Sequence, residues 1–278
     1  MRRLASHLTV FCLVLLWLIP TLGLLVTSIR PYEDVVRTGW WTTLFDPAKW
    51  ASLTLDNYVQ VIAQEGLGQA FWNSLVITIP ASLIPLAISA LAAYAFAWMP
   101  FRGRQVLLMV AVGLMVLPGQ MTFIPLLTVY NKVGLSGTFL GIWLVHTAYG
   151  LPLQIYLLRN FFRALPHELL DSAFMDGASR WKIFRHIVLP LSVPALASLL
   201  ILQFLWVWND LLVALIFLGT SPEVAPVNVK LVGLVGAYGQ DWQLLTAGAF
   251  VSMALPLIVF LSLQKHFVQG ILAGSRRG

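Results

Sequence analysis

From Leu8 to Ile29 the chain runs without a single Asp, Glu, Lys or Arg. The same holds for Phe71–Met99, Val106–Tyr130, Phe139–Leu158 and Leu244–Leu263. A sixth apolar segment, Leu191–Leu218, carries one charged side chain, Asp210. About 20 mostly apolar residues cross the hydrocarbon layer of a bilayer, and a segment placed there has to satisfy its own backbone hydrogen bonds. Composition points the same way, with 59% apolar and 10% charged residues and a mean hydropathy of +0.84. Soluble domains hold about 45–50% apolar and about 25% charged residues, and disordered chains need high charge with low hydrophobicity. Both classes are excluded. The sequence predicts an all-α integral membrane protein with six transmembrane helices, at about 8–29, 71–99, 106–130, 139–158, 191–218 and 244–263. They form a single transmembrane domain over 1–278. Met1-Arg2-Arg3 has the character of a signal-peptide start. The apolar run after it is too long, however, and no small-residue cleavage site follows Val26-Thr27-Ser28, so the first helix is expected to be retained.

The basic residues orient these spans. One set of segments holds Arg2, Arg3, Arg102, Arg104, Arg159, Arg163, Arg180, Lys182, Arg185, Lys265, Arg276 and Arg277. The other holds Arg30, Arg37, Lys49, Lys132 and Lys230, a split of 12 to 5. The positive-inside rule makes the first set cytoplasmic, with both termini inside a multi-pass protein of a bacterial or archaeal cytoplasmic (inner) membrane. The net charge of +6 is therefore a matter of topology and lipid, and no nucleic-acid partner is expected. Pro20, Pro80, Pro85, Pro118, Pro125, Pro152 and Pro256 fall inside spans, where each removes a backbone donor and tends to kink a helix. The one cysteine, Cys12, is read as a small buried hydrophobe.

The segment 159–190 is the long cytoplasmic loop and is amphipathic. Pro166 suits a first helical turn, and Glu168 and Asp171 suit the positive helix end. Leu169, Leu170, Ala173 and Phe174 recur at helical spacing as one apolar face. Gly177 provides a turn, and Ser179 caps a second short helix through Phe184. By composition such a helix pair serves equally as an element docking into a partner's groove or as a pair resting on lipid headgroups.

The string itself is more specific. Glu168-Leu-Leu-Asp171-Ser172-Ala173-Phe-Met-Asp176-Gly177, followed by Ile187-Val-Leu189-Pro190, resembles the EAA loop of binding-protein-dependent ABC importer permeases. Asp171-Ser172-Ala173 stands in place of Glu-Ala-Ala. Leu55-Asp56-Asn57-Tyr58, Phe71-Trp-Asn73-Ser74, Trp208-Asn209-Asp210 and Phe267-Val-Gln-Gly270-Ile-Leu-Ala-Gly274 are similar to the maltose-type carbohydrate permeases. The chain then ends Ser275-Arg276-Arg277-Gly278 where that family usually has Lys-Gly. Ser28-Ile-Arg30-Pro and Gly39-Trp40-Trp41 look like permeases for α-glucosides and related small glucosides.

The resemblance implies a type I ABC importer permease fold with a cytoplasmic coupling helix. It also implies a function: a carbohydrate, as a di- or oligosaccharide or small glucoside, is moved by alternating access driven by ATP. The partners implied are a second homologous permease, two ATP-binding cassette subunits and an external sugar-binding protein. Glu168, Asp171, Ala173, Phe174, Asp176 and Gly177 become the residues that meet the ATPases. Asn209 and Asp210, with Trp206 and Trp208 to stack on a sugar face, become candidates for the translocation pathway. For Asp210 the alternative is a structural role between helices or a place near the external interface.

Enzyme chemistry finds no support. None of the five lysines follows a glycine, so there is no Walker A string, and the histidines are scattered rather than spaced as metal ligands. No cofactor is expected on this chain, with ATP and Mg on the partner subunits. The competing function is a cation- or proton-coupled secondary transporter built on Asp210, since an ionisable residue inside a span marks a functional site by default.

Overall fold

An unpaired backbone N–H or C=O in hydrocarbon costs several kcal/mol, so spanning segments close their hydrogen bonds internally. The computed structural model describes residues 2–234 and 241–275, and every regular element among them is helical. In chain order these are α1 (Arg2–Ser28), α2 (Tyr32–Arg37), α3 (Trp41–Phe45), a 3-10 turn (Pro47–Ser52) and α4 (Asp56–Val59), which continues as a π turn (Gln60–Gln64). There follow α5 (Leu67–Trp98), α6 (Arg104–Leu114), a 3-10 turn (Gly119–Thr122), α7 (Phe123–Val133) and α8 (Phe139–Arg163). The chain goes on through α9 (His167–Met175), α10 (Arg180–Ile183), a π turn (Phe184–Val188), α11 (Leu189–Leu191) and α12 (Val193–Asn209). It ends with α13 (Leu212–Phe217), α14 (Val227–Gly233) and α15 (Trp242–Ser275).

Three helical stretches are each long and apolar enough to cross a bilayer: Leu4–Ser28, Leu67–Trp98 and Trp242–Ser262. Two bent pairs raise the number to five. The first pair corrects the expected continuous span at 106–130. Arg104–Leu114 and Gly119–Val133 meet at 97° across a break. The first is 11 residues, about 16 Å of helix, and the second 15, about 23 Å, each short of the about 30 Å that a bilayer requires. Pro118 lacks an N–H, and its extended backbone (ψ 118°) starts the new direction. The break is held in place from α8, where the Tyr149 hydroxyl shares a hydrogen bond of 2.6 Å with Thr122 Oγ1. The second pair, Arg180–Leu191 and Val193–Asn209, turns through 74° at Ser192, where the loop gives way to the next apolar helix. The remaining expected span is α8, whose 25 residues include buried His146, Thr147 and Gln154, and these lower its apolarity. Of the prolines, Pro20, Pro80, Pro85, Pro152 and Pro256 lie within uninterrupted helices, and Pro118 marks a break.

The chain divides into two compact units, one of 1–72 with 226–255 and one of 73–225 with 256–278. In the first unit α1 is exposed along almost its whole length, so Cys12 faces outward and is not the buried residue expected. Lipid is the solvent there, and an apolar side chain gains nothing by turning away from it. The segment after α1 is tied back to it by polar groups. Asn57 Nδ2 donates to Ser28 O (2.9 Å) and Arg30 O (2.8 Å), and Tyr58 OH pairs with Ser28 Oγ at 2.8 Å. Arg30 is 2% exposed, and its guanidinium donates to Asp34 O, Thr38 O and Thr38 Oγ1. A small core of Val61, Leu67, Ala70, Val227, Leu234 and Leu244 closes this unit.

In the second unit Ile77, Ala81, Phe123, Tyr130, Ile142, Val145, Val207 and Phe217 form one core. Phe217 meets Phe123 and Tyr130 edge-on at centroid distances of 6.0 and 5.3 Å. Apolar packing cannot specify helix register when lipid is as apolar as leucine, and polar contacts do that work. Ser89 Oγ donates to Gln154 Oε1 (3.0 Å), Gln154 Nε2 to Gln203 Oε1 (3.0 Å), and Gln203 Nε2 to Ala81 O (3.2 Å). This buried relay joins α5, α8 and α12. Gly150 makes room for it, since a Cβ there would lie 2.9 Å from Gln203 Oε1. Asn73 Nδ2 donates to Pro222 O and Ala225 O, each at 3.1 Å, and fixes the loop after α13.

The relay makes a prediction. Gly150→Ala displaces the Gln203 amide and breaks part of the chain of hydrogen bonds, at a cost of about 1–2 kcal/mol. The cost is expected to shrink in a Gln203→Ala background, where the side chain to be displaced is gone. Thermal unfolding of the four proteins in detergent tests this, and strictly additive shifts would refute it.

Candidate functional site

The loop predicted to carry coupling is built from its capping residues outward. Pro166 stands just before α9, not in its first turn, and α9 begins at His167 with Glu168 in the first turn. Asp171 lies in mid-helix. The end of α9 is closed by a pair of backbone bonds, Ala178 N to Ala173 O and Gly177 N to Phe174 O, each 3.0 Å. This Schellman arrangement needs a left-handed residue after the helix, and Gly177 provides it at φ 75°. A Cβ on Gly177 would meet nothing within 4 Å, so glycine is required by backbone conformation and not by space. Ser179 then accepts from Lys182 N (3.3 Å) as the cap of α10. The second helix does not stop at Phe184 as expected. It passes through a π turn and α11 to Leu191.

The apolar face expected on α9 is split. Leu170 is 1% exposed and packs into a core with Ala90, Ala93, Tyr94, Leu158, Phe162, Ile183, Phe184 and Leu199, and Ala173 is half-buried beside it. Leu169, Phe174 and Met175 face outward, as does Trp181 on α10. Glu168, Asp171, Asp176 and Gly177 are also exposed. The physical reason is that a helix lying on a bundle offers it only part of its circumference, and the 100° step puts Leu169 and Leu170 on different sides.

The loop is fastened to the end of α5. Tyr94 OH donates to Arg180 O (3.0 Å), the Tyr94 and Phe184 rings lie 5.1 Å apart, and Trp98 meets His167 at 4.7 Å. An open groove of about 430 Å³ lies between α9 and the following helix, lined by Leu169, Ser172, Ala173, Asp176, His186 and Ile187 among others. The result is a rigid mount with an exposed apolar and acidic edge. Tyr94, Phe184 and Trp181 are structural neighbours of the loop residues that the motif did not single out. Their signal in the sequence is an aromatic pair, Trp181 and Phe184, inside a basic loop.

The fifth-span candidates fall into separate places. Trp208 is 3% exposed and stacks on Phe204 at 5.7 Å, within the bundle. Trp206 is 47% exposed and meets buried His146 edge-on at 6.5 Å. Asn209 Nδ2 donates back to Leu205 O (2.8 Å). Asp210 ends α12 in extended backbone, and its Oδ1 accepts from Val213 N (3.0 Å), capping α13. Asp210 thus performs a helix-terminal job at a break in the span. The other motif strings are structural as well. Asn57 and Tyr58 hold the segment after α1, Asn73 holds the loop after α13, and a Cβ on Gly23 would run into the Trp40 ring at 2.8 Å.

Replacing Gly177 by Ala forces a left-handed alanine at a cost of about 1–2 kcal/mol. Hydrogen exchange of the Gly177 and Ala178 amides is expected to accelerate roughly tenfold or more, because 1.4 kcal/mol is a factor of ten. Exchange at the wild-type rate would show that the cap does not depend on glycine.

Residues 84–273 match the family described as binding-protein-dependent transport system inner membrane component. The osmoprotective compounds uptake permease protein GgtD of Synechocystis is 55% identical over 99% of this chain and 92% of its own length. The alpha-glucoside transport system permease protein AglG of Rhizobium meliloti is 41% identical over 99% of this chain and 97% of its own. A chain of a solved bacterial ABC transporter involved in the import of the acidic polysaccharide alginate superposes with a TM-score of 0.79. It is 21% identical, with 95% of each chain covered, and so shares the ABC importer permease fold. With the family match running from the middle of α5 through the loop to most of α15, this chain belongs to the inner membrane components of binding-protein-dependent transport systems.

Proposed function

We propose that the chain is the permease subunit of an ATP-driven importer whose cargo is a carbohydrate, as a di- or oligosaccharide or small glucoside. The observation that carries the coupling part of this reading is the α9–α10 mount. Its inner side chains, Leu170, Ile183 and Phe184, are locked into the bundle, and its outer edge of Glu168, Asp171, Phe174, Asp176 and Gly177 is open. A helix clamped on one side and exposed on the other transmits rigid-body motion from a partner to the bundle. In this reading two ATP-binding cassette subunits, holding ATP and Mg, engage that edge. Glu168, Asp171 and Asp176 pair with basic groups of the groove, Phe174 fills it, and Ala173 and Gly177 keep the contact close. A second, homologous permease completes the pathway, and an external sugar-binding protein delivers cargo. The cargo class is supported by the α-glucoside relative. Both termini and the α9–α10 loop face the cytoplasm, supported by the 12 to 5 division of basic residues.

The secondary-carrier alternative rests on Asp210, whose Oδ1 serves as a cap for Val213 N–H, and the family it would leave works with a binding protein.

Uptake of a labelled α-glucoside by cells carrying the full transporter is expected to stop on ATP depletion and to survive an ionophore. The reverse pattern overturns the reading. Asp171→Lys reverses a charge on the exposed edge, and Gly177→Pro forbids the left-handed cap. Each is expected to lower uptake at least tenfold while the chain still inserts in the membrane. Normal ATPase coupling of either variant in reconstituted vesicles counts against the assignment of the edge.

A further inference from the structure

At the end of α8 and the start of α6, three arginines gather. Arg159 and Arg163 lie one turn apart on α8, and α6, which opens with Arg104, packs along α8. Arg163 and Arg104, both of its own sign, act on Arg159, with the Tyr156 phenol acting the other way. Arg159 donates through Nη1 to Asn160 Oδ1 (3.1 Å), and its Nε is buried without a hydrogen-bond partner. Arg104 leans over the end of α5, donating at the long distances of 3.4 and 3.5 Å to Ala97 O and Met99 O. Like charges brought together repel, and a guanidinium fork presents paired donors that match the oxygens of a phosphate.

Beside this cluster the surface is apolar. Val106, Leu107 and Val110 on α6 and Leu153, Tyr156 and Leu157 on α8 are all exposed. A site with a cationic head and an apolar flank has the shape of an anionic phospholipid: phosphate at the arginines, acyl chains along the helices. An ATPase subunit in the aqueous phase would satisfy the charges and leave the flank uncovered.

We propose that Arg104, Arg159 and Arg163 form a headgroup site for an anionic phospholipid of the cytoplasmic leaflet. The site binds the lipid's phosphodiester by charge-assisted hydrogen bonds and holds the α6 and α8 ends together by neutralising their repulsion. The proposal rests on the cytoplasmic placement of this loop given under the proposed function. It adds a ligand to charges whose other role is to set topology.

Native mass spectrometry of the full chain in detergent tests it, with dioleoyl phosphatidylglycerol and dioleoyl phosphatidylcholine as probes. The wild-type chain is expected to retain the anionic lipid in preference. The double variant Arg159→Gln/Arg163→Gln is expected to lose that preference roughly tenfold or more, at about 1 kcal/mol per basic residue. Arg159→Lys/Arg163→Lys restores part of it, which separates a binding role from a folding defect, and Arg37→Gln/Lys132→Gln leaves it unchanged. Equal retention of both lipids by the wild type, or an unchanged preference in the glutamine variant, overturns the proposal. Displacement of the lipid by inorganic phosphate alone overturns it in favour of a free-phosphate site. Loss of the ATPase subunits from the variant complex with lipid preference intact reassigns the arginines to that interface. Lipid retention is read without transport, so a failed uptake experiment and a failed lipid experiment are told apart.

Discussion

The structure depends on one constraint: a backbone polar group in hydrocarbon has no water to turn to. Continuous helix is the default solution, and the informative places are those where helix stops. The break between α6 and α7 is held by Thr122 and Tyr149. The break between α12 and α13 is held by Asp210, whose carboxylate takes the Val213 N–H that the missing turn leaves orphaned. The turn after α9 is closed by two backbone bonds that only a left-handed residue permits. In each case a side chain or a glycine replaces what the helix gave up. A charged residue in an apolar span therefore has two readings, and the local hydrogen bond decides between them. For Asp210 that hydrogen bond is the one from Val213 N to Oδ1, a cap on α13.

The same constraint explains how the bundle is specified. In water, burying leucine against leucine is favourable enough to set helix order; in lipid the gain is small because the solvent is already apolar. The second unit relies instead on a few polar groups at defined heights: Ser89, Gln154 and Gln203 across α5, α8 and α12, Trp143 Nε1 donating to Val76 O, and Asn73 at the loop after α13. Gly150 gives Gln203 its place. The first unit follows the same rule outside the hydrocarbon, where buried Arg30 gathers the carbonyls of its own loop. Burial lowers the pKa of Arg30 and the charge of Asp34 opposes that fall, so the guanidinium stays a cation with carbonyl partners.

How much of this was legible in the sequence follows from what each signal averages over. Hydropathy sums over many residues, and it placed an apolar run inside each of α1, α5, α8 and α15, although α15 continues to Ser275, 12 positions beyond the expected end at 263. Capping is encoded in one or two residues with fixed chemistry, so Gly177 and Ser179 could be read directly. What failed depended on neighbours far along the chain. The bend after α6 needed Tyr149 to hold it, and an uninterrupted apolar run over 106–130 hid it. The apolar face of α9 was read by spacing alone, and spacing does not say that Leu170 finds Tyr94 and Phe162 while Leu169 finds none of them. Cys12 was read by a rule made for proteins in water. The motif strings pointed to the family, yet Asn57, Asn73 and Asp210 turn out to hold its architecture. The basic tail Arg276-Arg277 lies outside the described residues.

The division of α9 into an inner and an outer side has a mechanical consequence. A helix attached through long flexible side chains would yield under load and move alone. Here the inner contacts are short and stiff: Leu170 in a closed core, Phe184 against Tyr94, and a hydrogen bond from the α5 tyrosine to the backbone of the α10 arginine. A displacement applied at Phe174 or Asp171 therefore acts through α9 and α10 on α5, α8 and α12 together, the same three helices that the glutamine relay joins. Packed interiors shift between discrete arrangements and do not deform continuously. A push on the loop edge is then either resisted or passed on to the bundle as a whole, which is what the proposed coupling requires of this loop.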